Sequence, residues 1–234
     1  MNGEKYVFQS PLTKGESIAA WFYLPIHAVI LPLLLPLVNA YAPTSMDTVG
    51  LNYVYYTIGV VFMAIFMHRS LRASFDRALD DLERFIITLV MGFFLYYVLT
   101  YVTALLLILT EAEISNPNNE AISEVTESSY GMFKGVGIFI VPIIEETLYR
   151  GCVFGTLRSK NRVAAYAVSI VLFALSHVWQ YAIAYSDPVL LVYALQYVPL
   201  SVVLTWMYDR TGSLWTPIFF HMGVNAMSFW AMGL

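Results

Sequence analysis

Three charged side chains stand close together in an otherwise apolar stretch of the chain. Glu145, Glu146 and Arg150 lie within the segment 135–157, whose other residues are mostly aliphatic, aromatic or small. Glu146 and Arg150 are four residues apart, so on a helix they share a face and can form an ion pair. Glu145 projects about 100° away from Glu146 and has no partner on its own helix. The sequence therefore predicts a buried ion pair beside a carboxylate that is available as a general base.

Two histidines and an asparagine add further polar groups in apolar surroundings. His177 follows Phe173 by four residues in one apolar stretch, and His221 precedes Asn225 by four residues in another. Each pair therefore shares one helical face. A single histidine within a membrane is usually a hydrogen-bonded contact between helices. Two histidines, an asparagine and an unpaired glutamate on three separate segments favour one shared site.

Water attack on a carbonyl is the chemistry that these groups fit best. Glu145 can take a proton from water with the help of His177, while His221 and Asn225 donate hydrogen bonds to the tetrahedral oxyanion. Loss of one such donor typically raises the barrier by about 2.7–4 kcal/mol. The sequence contains no G-x-S-x-G nucleophile motif, and Cys152 lies in apolar surroundings that do not activate a thiol. These residues predict a membrane-embedded peptidase that forms no covalent intermediate.

Other interpretations of the same residues remain open. Glu145 and the two histidines can bind zinc or iron with Asn225 in support, although the H-E-x-x-H spacing is absent. The charged groups can also lock helices together in a non-catalytic scaffold or immunity factor. A proton-coupled transporter is a further alternative, but no inverted repeat or pair of broken helices is evident. His27 is either a hydrogen-bonded interior residue or a neighbour of the site.

The overall composition is that of a multi-span membrane protein. Of the 234 residues, 59% are hydrophobic and only 12% are charged, and the mean hydropathy is +0.67. A typical soluble domain carries about 25% charged residues, so soluble, disordered and fibrous classes are excluded. The net charge of −4 and the lack of a basic stripe argue against a nucleic-acid partner. A single cysteine excludes an intrachain disulfide and a cysteine-based zinc site.

The apolar stretches predict seven membrane spans. A helix that crosses the hydrocarbon core needs about 20 apolar residues. Seven spans place ten of the 12 basic residues on one side of the membrane, with only Lys134 opposite and Arg150 between. Because Lys and Arg gather on the cytoplasmic side, we expect the N-terminus to be cytoplasmic. The predicted spans are 18–41, 51–67, 85–110, 135–157, 163–184, 189–208 and 213–234.

Two connecting segments have patterns of their own. In the segment 68–84, apolar residues recur at helical spacing between charged ones, as in an amphipathic helix on the inner leaflet. A helical extension of a neighbouring span fits this pattern equally well. The segment 111–134 is acidic and contains the turn signal Asn116-Pro117-Asn118-Asn119, so we expect a mobile, solvated loop.

Three motifs together resemble the signature of the CAAX prenyl protease and bacteriocin-processing family, also called the abortive-infection family. Each motif alone is weak, but all three in this order are specific. The resemblance covers about residues 135–230, whereas residues 1–130 match only in being helical and apolar. The motifs are Glu145-Glu146-x-x-x-Arg150, Phe173-x-x-x-His177 and His221-x-x-x-Asn225.

The resemblance implies a fold and an activity. It implies an all-α polytopic bundle that forms one membrane domain over residues 1–234, with a protease core at 135–230. The activity is that of an intramembrane glutamate endopeptidase without a cofactor, which cleaves membrane-associated or lipidated peptides and proteins. We expect a plasma-membrane protein whose partners are the lipid bilayer and a peptide substrate, with bacteriocin processing as one role of bacterial members.

The resemblance also implies a role for each motif residue. One carboxylate activates water with a histidine as its partner, a second histidine and an asparagine form the oxyanion hole, and a glutamate–arginine pair organises the site. The residues in these roles are, in that order, Glu145, His177, His221, Asn225, Glu146 and Arg150.

Overall fold

The computed structural model describes residues 8–109, 116–129 and 131–234. Over these ranges the chain is largely helical and contains no β-strand, which confirms the predicted all-α membrane bundle. Lys5, one of the ten basic residues predicted to lie on the cytoplasmic side, and Glu111 and Glu113 of the acidic segment 111–134 lie outside the described residues.

The helices follow one another with short connections. Four of those in the described ranges, α1, α2, α3 and α8, are long and apolar enough to cross a membrane. The helices that carry the three motifs are shorter or contain charged residues, so the count of seven spans stays a prediction. The helices are α1 (Lys14–Ala40), α2 (Thr48–Asp80), α3 (Leu82–Leu109), α4 (Pro117–Ser128), α5 (132–158), α6 (Arg162–Ser176), α7 (Trp179–Ala184), α8 (Pro188–Thr211) and α9 (Trp215–Ala231).

Side-chain caps set the first residues of several helices. Thr13 and Glu16 form a capping box at the start of α1, in which each side chain bonds the backbone N–H of the other residue. Asp47 accepts from the N–H of Gly50 at the start of α2. At the start of α6, the side chain of Asn161 accepts from the N–H of Ala164. These caps satisfy N–H groups that have no partner within the helix.

Helix α8 lies at the centre of the bundle. It packs against α3, α6 and α9, while α5 packs against α1 and α6. Leu148, Phe173, Leu204 and Met207 are buried in the core that these helices share. Large apolar side chains stand exposed along the outer faces of α1 and α3, as expected of surfaces that face lipid.

The segment 68–84 is a helical extension of the preceding span. Helix α2 runs without interruption from Thr48 to Asp80, and its buried positions include Ser70 and Ser74. The Oγ of Ser213, which precedes α9, donates to the carbonyl oxygen of Ser74 at 2.7 Å. The side chains of Phe75 and Leu79 are exposed on this extension. Its position on the inner leaflet stays a prediction.

The prediction of a mobile, solvated loop over 111–134 is wrong for its central part. Residues Pro117–Ser128 form helix α4, and the side chain of Asn116 caps it by accepting from the N–H of Asn118 at 2.9 Å. The Asn116-Pro117 pair is therefore a helix start, because Asn is a favoured cap and Pro a favoured first residue. Val125 is buried against the bundle and holds α4 in place.

Three helix ends meet at a single buried carboxylate. Asp209, near the end of α8, accepts from Arg158 Nε at 2.6 Å, Arg162 Nε at 2.8 Å and Tyr166 Oη at 3.1 Å. Arg158 belongs to α5, and the other two donors belong to α6. Because two of the donors are charged, these hydrogen bonds are stronger than neutral ones.

We expect Asp209→Ala to lower the free energy of unfolding by about 1.5–3 kcal/mol, because two guanidinium groups lose a charged acceptor. The unfolding midpoint in detergent micelles measures this loss. Asp76→Ala, which removes an exposed carboxylate on α2, is the matched control. Equal midpoints for the two variants would show that the cluster does not stabilise the bundle.

Candidate active site

Helix α5 presents both motif glutamates from an irregular stretch. The helix is π-helical over Val136–Ile140 and again over Glu146–Phe154, and Pro142 lies between the two stretches. Proline removes a backbone hydrogen-bond donor, and in membrane helices local π adjustments help to supply the freed backbone groups with partners. π-Helical turns are found frequently at functional sites.

Glu145 lies between the two motif histidines. Its Oε1 is 3.9 Å from Nε2 of His177, and its Oε2 is 3.9 Å from Nε2 of His221. These separations are too long for direct hydrogen bonds, but a water molecule fits between such atoms. The side chain of Glu145 is 15% exposed, so it is accessible from a cavity. The carboxylate and both imidazoles therefore face one common point.

The end of helix α6 sets the orientation of His177. The helix ends at Ser176, and the N–H of His177 turns to the carbonyl of Ala174 instead of that of Phe173. The carbonyl oxygen of Phe173, which has no backbone donor from the helix, accepts from Ser176 Oγ at 2.7 Å and from His177 Nδ1 at 2.7 Å. Because Nδ1 faces an acceptor, it carries the hydrogen and leaves the Nε2 lone pair directed toward Glu145. The predicted single span 163–184 is thus broken at the histidine, and helix α7 begins at Trp179.

Glu146 is the centre of a buried polar network. Its Oε1 accepts from Arg150 Nη1 at 3.0 Å, and Nδ1 of His221 lies 2.9 Å from the same oxygen. Arg150 Nη2 donates to Ser201 Oγ at 2.8 Å and to the Ser201 carbonyl at 3.2 Å. The network joins α5, α8 and α9, so the predicted ion pair is present and also fixes His221.

Arg150 is fully buried and lies against an aromatic ring. Its guanidinium carbon is 4.2 Å from the ring centroid of Phe173. An aromatic face attracts a cation, most strongly where water is excluded. Phe173, the first residue of the second motif, therefore supports both Arg150 and, through its carbonyl, His177.

Asn225 reaches the site through a close approach of two helices. Its Nδ2 donates to the carbonyl oxygen of Gly137 at 2.8 Å, which leaves one amide hydrogen for another acceptor. A Cβ atom at Gly137 would lie 2.8 Å from the ring of Phe229, so a larger residue here would displace that ring where α9 crosses α5. His221 and Asn225 share one face of α9, as the sequence predicts.

Glu145, His177, His221 and Asn225 line one cavity of about 550 Å³, a size typical of ligand sites. Glu145 is the only Asp, Glu, Lys or Arg among the described residues that line it. The other walls combine apolar residues of α1 with phenol and amide side chains. These lining residues include Leu31, Pro32, Leu35, Pro36, Asn52, Tyr55, Tyr56, Asn118, Tyr149, Gln180, Tyr181 and Tyr197.

His27 also lines this cavity, on the wall that α1 forms. It is buried, and Nε2 lies 3.0 Å from Tyr55 Oη. Its ring stacks on that of Tyr55 with centroids 4.6 Å apart. His27 is therefore both an interior histidine with hydrogen-bond partners and a neighbour of the site.

No group of three or more His, Cys, Asp or Glu side chains in the described ranges is arranged to hold a metal ion. The zinc or iron interpretation of Glu145 and the two histidines thus has no preformed ligand cluster in this part of the chain.

The structure brings all six predicted site residues together, and it adds two that the sequence did not reveal. Ser201 binds Arg150, and Tyr197 stacks on His177 with ring centroids 4.3 Å apart. Both lie in the apolar stretch 189–208, where a lone serine or tyrosine carries no signal of its own.

We expect Arg150→Met to lower the free energy of unfolding by about 3–5 kcal/mol, because it leaves the Glu146 carboxylate buried without its cation. The double variant Glu146→Gln/Arg150→Met should recover part of this loss. Unfolding midpoints in detergent micelles give both values. If Arg150→Met is no more harmful than Arg72→Met, an exposed change on α2, the network does not stabilise the bundle.

Comparisons with known proteins agree with these motifs. Residues 130–227 match the family model described as Type II CAAX prenyl endopeptidase Rce1-like. The chain is 34% identical over 89 residues to the UPF0177 protein YxdF of Lactococcus lactis, which covers 37% of this chain and 42% of that protein. It is 30% identical over 110 residues to the "Putative membrane peptidase YdiL" of Bacillus subtilis, which covers 44% and 41% of the two chains.

The chain thus spans less than half the length of each of these curated relatives. No solved structure matches it significantly. The family model covers all three motifs, and the relative from Bacillus subtilis is named as a membrane peptidase. The resemblance drawn from the three motifs is therefore confirmed over residues 130–227, the segment of this helical membrane protein that matches the type II CAAX prenyl endopeptidase model.

Proposed function

We propose that this protein is an intramembrane endopeptidase in which Glu145 activates a water molecule for attack on a peptide bond. The observation that carries the proposal is the distance of 3.9 Å from the Glu145 carboxylate to Nε2 of both His177 and His221. All three groups line one cavity within an apolar bundle.

Glu145 and His177 together orient the water. The Glu145 carboxylate and the Nε2 lone pair of His177 are both hydrogen-bond acceptors, and each takes one hydrogen of the same water. Both O–H bonds then point away from the substrate, so an oxygen lone pair faces the scissile carbonyl. As the oxygen attacks the carbonyl carbon, Glu145 receives the proton and later delivers it to the leaving nitrogen when the C–N bond breaks.

His221 and Asn225 stabilise the oxyanion on the opposite side of the carbonyl. Asn225 donates its remaining amide hydrogen, since the other is bound to Gly137. His221 donates from Nε2 when both ring nitrogens carry hydrogen, with Nδ1 bound to Glu146. Such fixed donors are most effective where water is excluded.

A membrane-associated or lipidated peptide is the substrate class that we propose. The apolar α1 wall, which includes Leu31 and Leu35, suits a lipid chain or an apolar side chain. The phenol and amide groups of the other walls suit a peptide backbone. We further propose that residues 1–234 form one domain in the plasma membrane, with the protease core at 135–230 and the N-terminus in the cytoplasm.

We expect Glu145→Gln to lower kcat by about 10²–10⁴-fold, because an amide cannot accept the proton from water. Mass spectrometry of lipidated and unlipidated peptides incubated with the purified protein in detergent measures cleavage. Glu124→Gln, the same change at an exposed position on α4, should retain full activity. Full activity of Glu145→Gln would overturn the mechanism.

Each assay is repeated with a metal chelator. Cleavage that survives chelation supports the water-activation mechanism, whereas loss that is restored by zinc supports the metal-dependent alternative. In cells, undiminished function of Glu145→Ala would instead favour a non-catalytic scaffold or immunity factor.

We expect Asn225→Ala to lower kcat by about 10²–10³-fold with little change in KM, because the oxyanion forms only in the transition state. Steady-state kinetics on the cleaved peptide separate the two constants. An increase in KM at unchanged kcat would assign Asn225 to substrate binding instead.

A further inference from the structure

Tyr197 lies at a junction within helix α8. The helix is 3₁₀-helical over Pro188–Tyr197 and α-helical from Val198 to Thr211, so the register of the backbone changes at this residue. A 3₁₀ run of this length is uncommon, because such runs rarely exceed three or four residues. The tyrosine faces the cavity, next to His177.

The ring of Tyr197 covers one face of the His177 imidazole. The two ring centroids are 4.3 Å apart, and the ring planes are inclined by only 24°. The ring of Phe173 also contacts the imidazole, at 4.6 Å and 50°. With Nδ1 bound to the Phe173 carbonyl, these contacts leave His177 little freedom to rotate.

The hydroxyl of Tyr197 is held by amide groups at the start of α4. It accepts from Asn116 Nδ2 at 3.1 Å and from Asn118 Nδ2 at 2.9 Å. Tyr181 Oη donates to Asn118 Oδ1 at 3.3 Å and thereby orients that amide. Asn116 is only 1% exposed, so this contact is part of the packed structure.

We propose that Tyr197 is a positioning residue, which holds His177 in the orientation that water activation needs and links that orientation to helix α4. This inference rests on the proposed function. The path runs from the α4 amides to the phenol hydroxyl, from the phenol ring to the imidazole, and from its Nε2 toward Glu145.

The physical reason lies in the two roles of the imidazole nitrogens. A rotation of the His177 ring would break the Nδ1 bond to Phe173 and turn Nε2 away from Glu145. The water would then lose one of its two acceptors, and its lone pair would no longer be directed at the carbonyl. Errors of about 1 Å in the position of a reacting group can cost about 10²-fold in rate.

Three substitutions separate the contributions of ring and hydroxyl. Tyr197→Leu removes both, Tyr197→Phe keeps the ring and removes the acceptor, and Asn118→Ala removes one donor. Tyr185→Leu, at an exposed tyrosine after α7, is the matched control. Asn116 is left unchanged because it also caps α4.

Nitrogen NMR of ¹⁵N-histidine-labelled protein in detergent micelles reads out the imidazole directly. The chain has only four histidines, so His→Gln variants assign each signal. We expect His177 to show one Nδ1-protonated tautomer in the parent and a mixture of tautomers in Tyr197→Leu. Tyr197→Phe and Asn118→Ala should give smaller changes, and His27 should stay constant as an internal control.

Kinetics supply the second readout. Tyr197→Leu should lower kcat by about 10–100-fold with KM within about twofold, and Tyr197→Phe should restore most of that loss. Unchanged His177 signals in Tyr197→Leu would overturn the proposal, as would a general change in all four histidines. If the parent cleaves no peptide, the proposed function fails, whereas the NMR result still decides whether Tyr197 holds His177.

Discussion

The buried ion pair between Glu146 and Arg150 is the constraint on which the rest of the site depends. Burial of either charge alone in an apolar bundle is costly, and truncation of one partner leaves the other uncompensated. Here the guanidinium also bonds both oxygens of Ser201 and lies against Phe173, while the carboxylate binds His221. The interaction therefore fixes the positions of α5, α6, α8 and α9 relative to one another next to the cavity.

Departures from regular α-helix supply much of the geometry around this pair. The carbonyl of Phe173 accepts from an imidazole because helix α6 stops at Ser176 and its last turn tightens. The carbonyl of Gly137 accepts from Asn225 where α5 is π-helical. In both cases a backbone oxygen that would otherwise bond within the helix orients a motif side chain. In a membrane such groups need partners, so the irregular turns and the polar side chains depend on each other.

The cavity joins two kinds of wall around a single carboxylate. Apolar residues of α1 face phenol and amide groups carried by α2, α4 and the segment around Tyr197. Helix α4 closes part of this space and contacts α8 through Asn116. The motif residues thus form one side of the cavity and the short helix α4 forms part of another, and the stacked rings of His177 and Tyr197 lie where the two sides meet.

The sequence alone determined the all-α membrane class, the Glu146–Arg150 pair and the family, because hydropathy, i to i+4 spacing and the three motifs are local properties. It misjudged the segment 111–134, where acidic composition concealed a capped helix, and it could not identify Ser201 or Tyr197. Only the tertiary structure decided that Glu145 and both motif histidines line one cavity, and that the Phe173 carbonyl orients His177 while the Glu146 carboxylate orients His221. Those choices depend on helix breaks and on contacts between residues more than 20 positions apart, such as Glu146 with His221, and no local pattern encodes them.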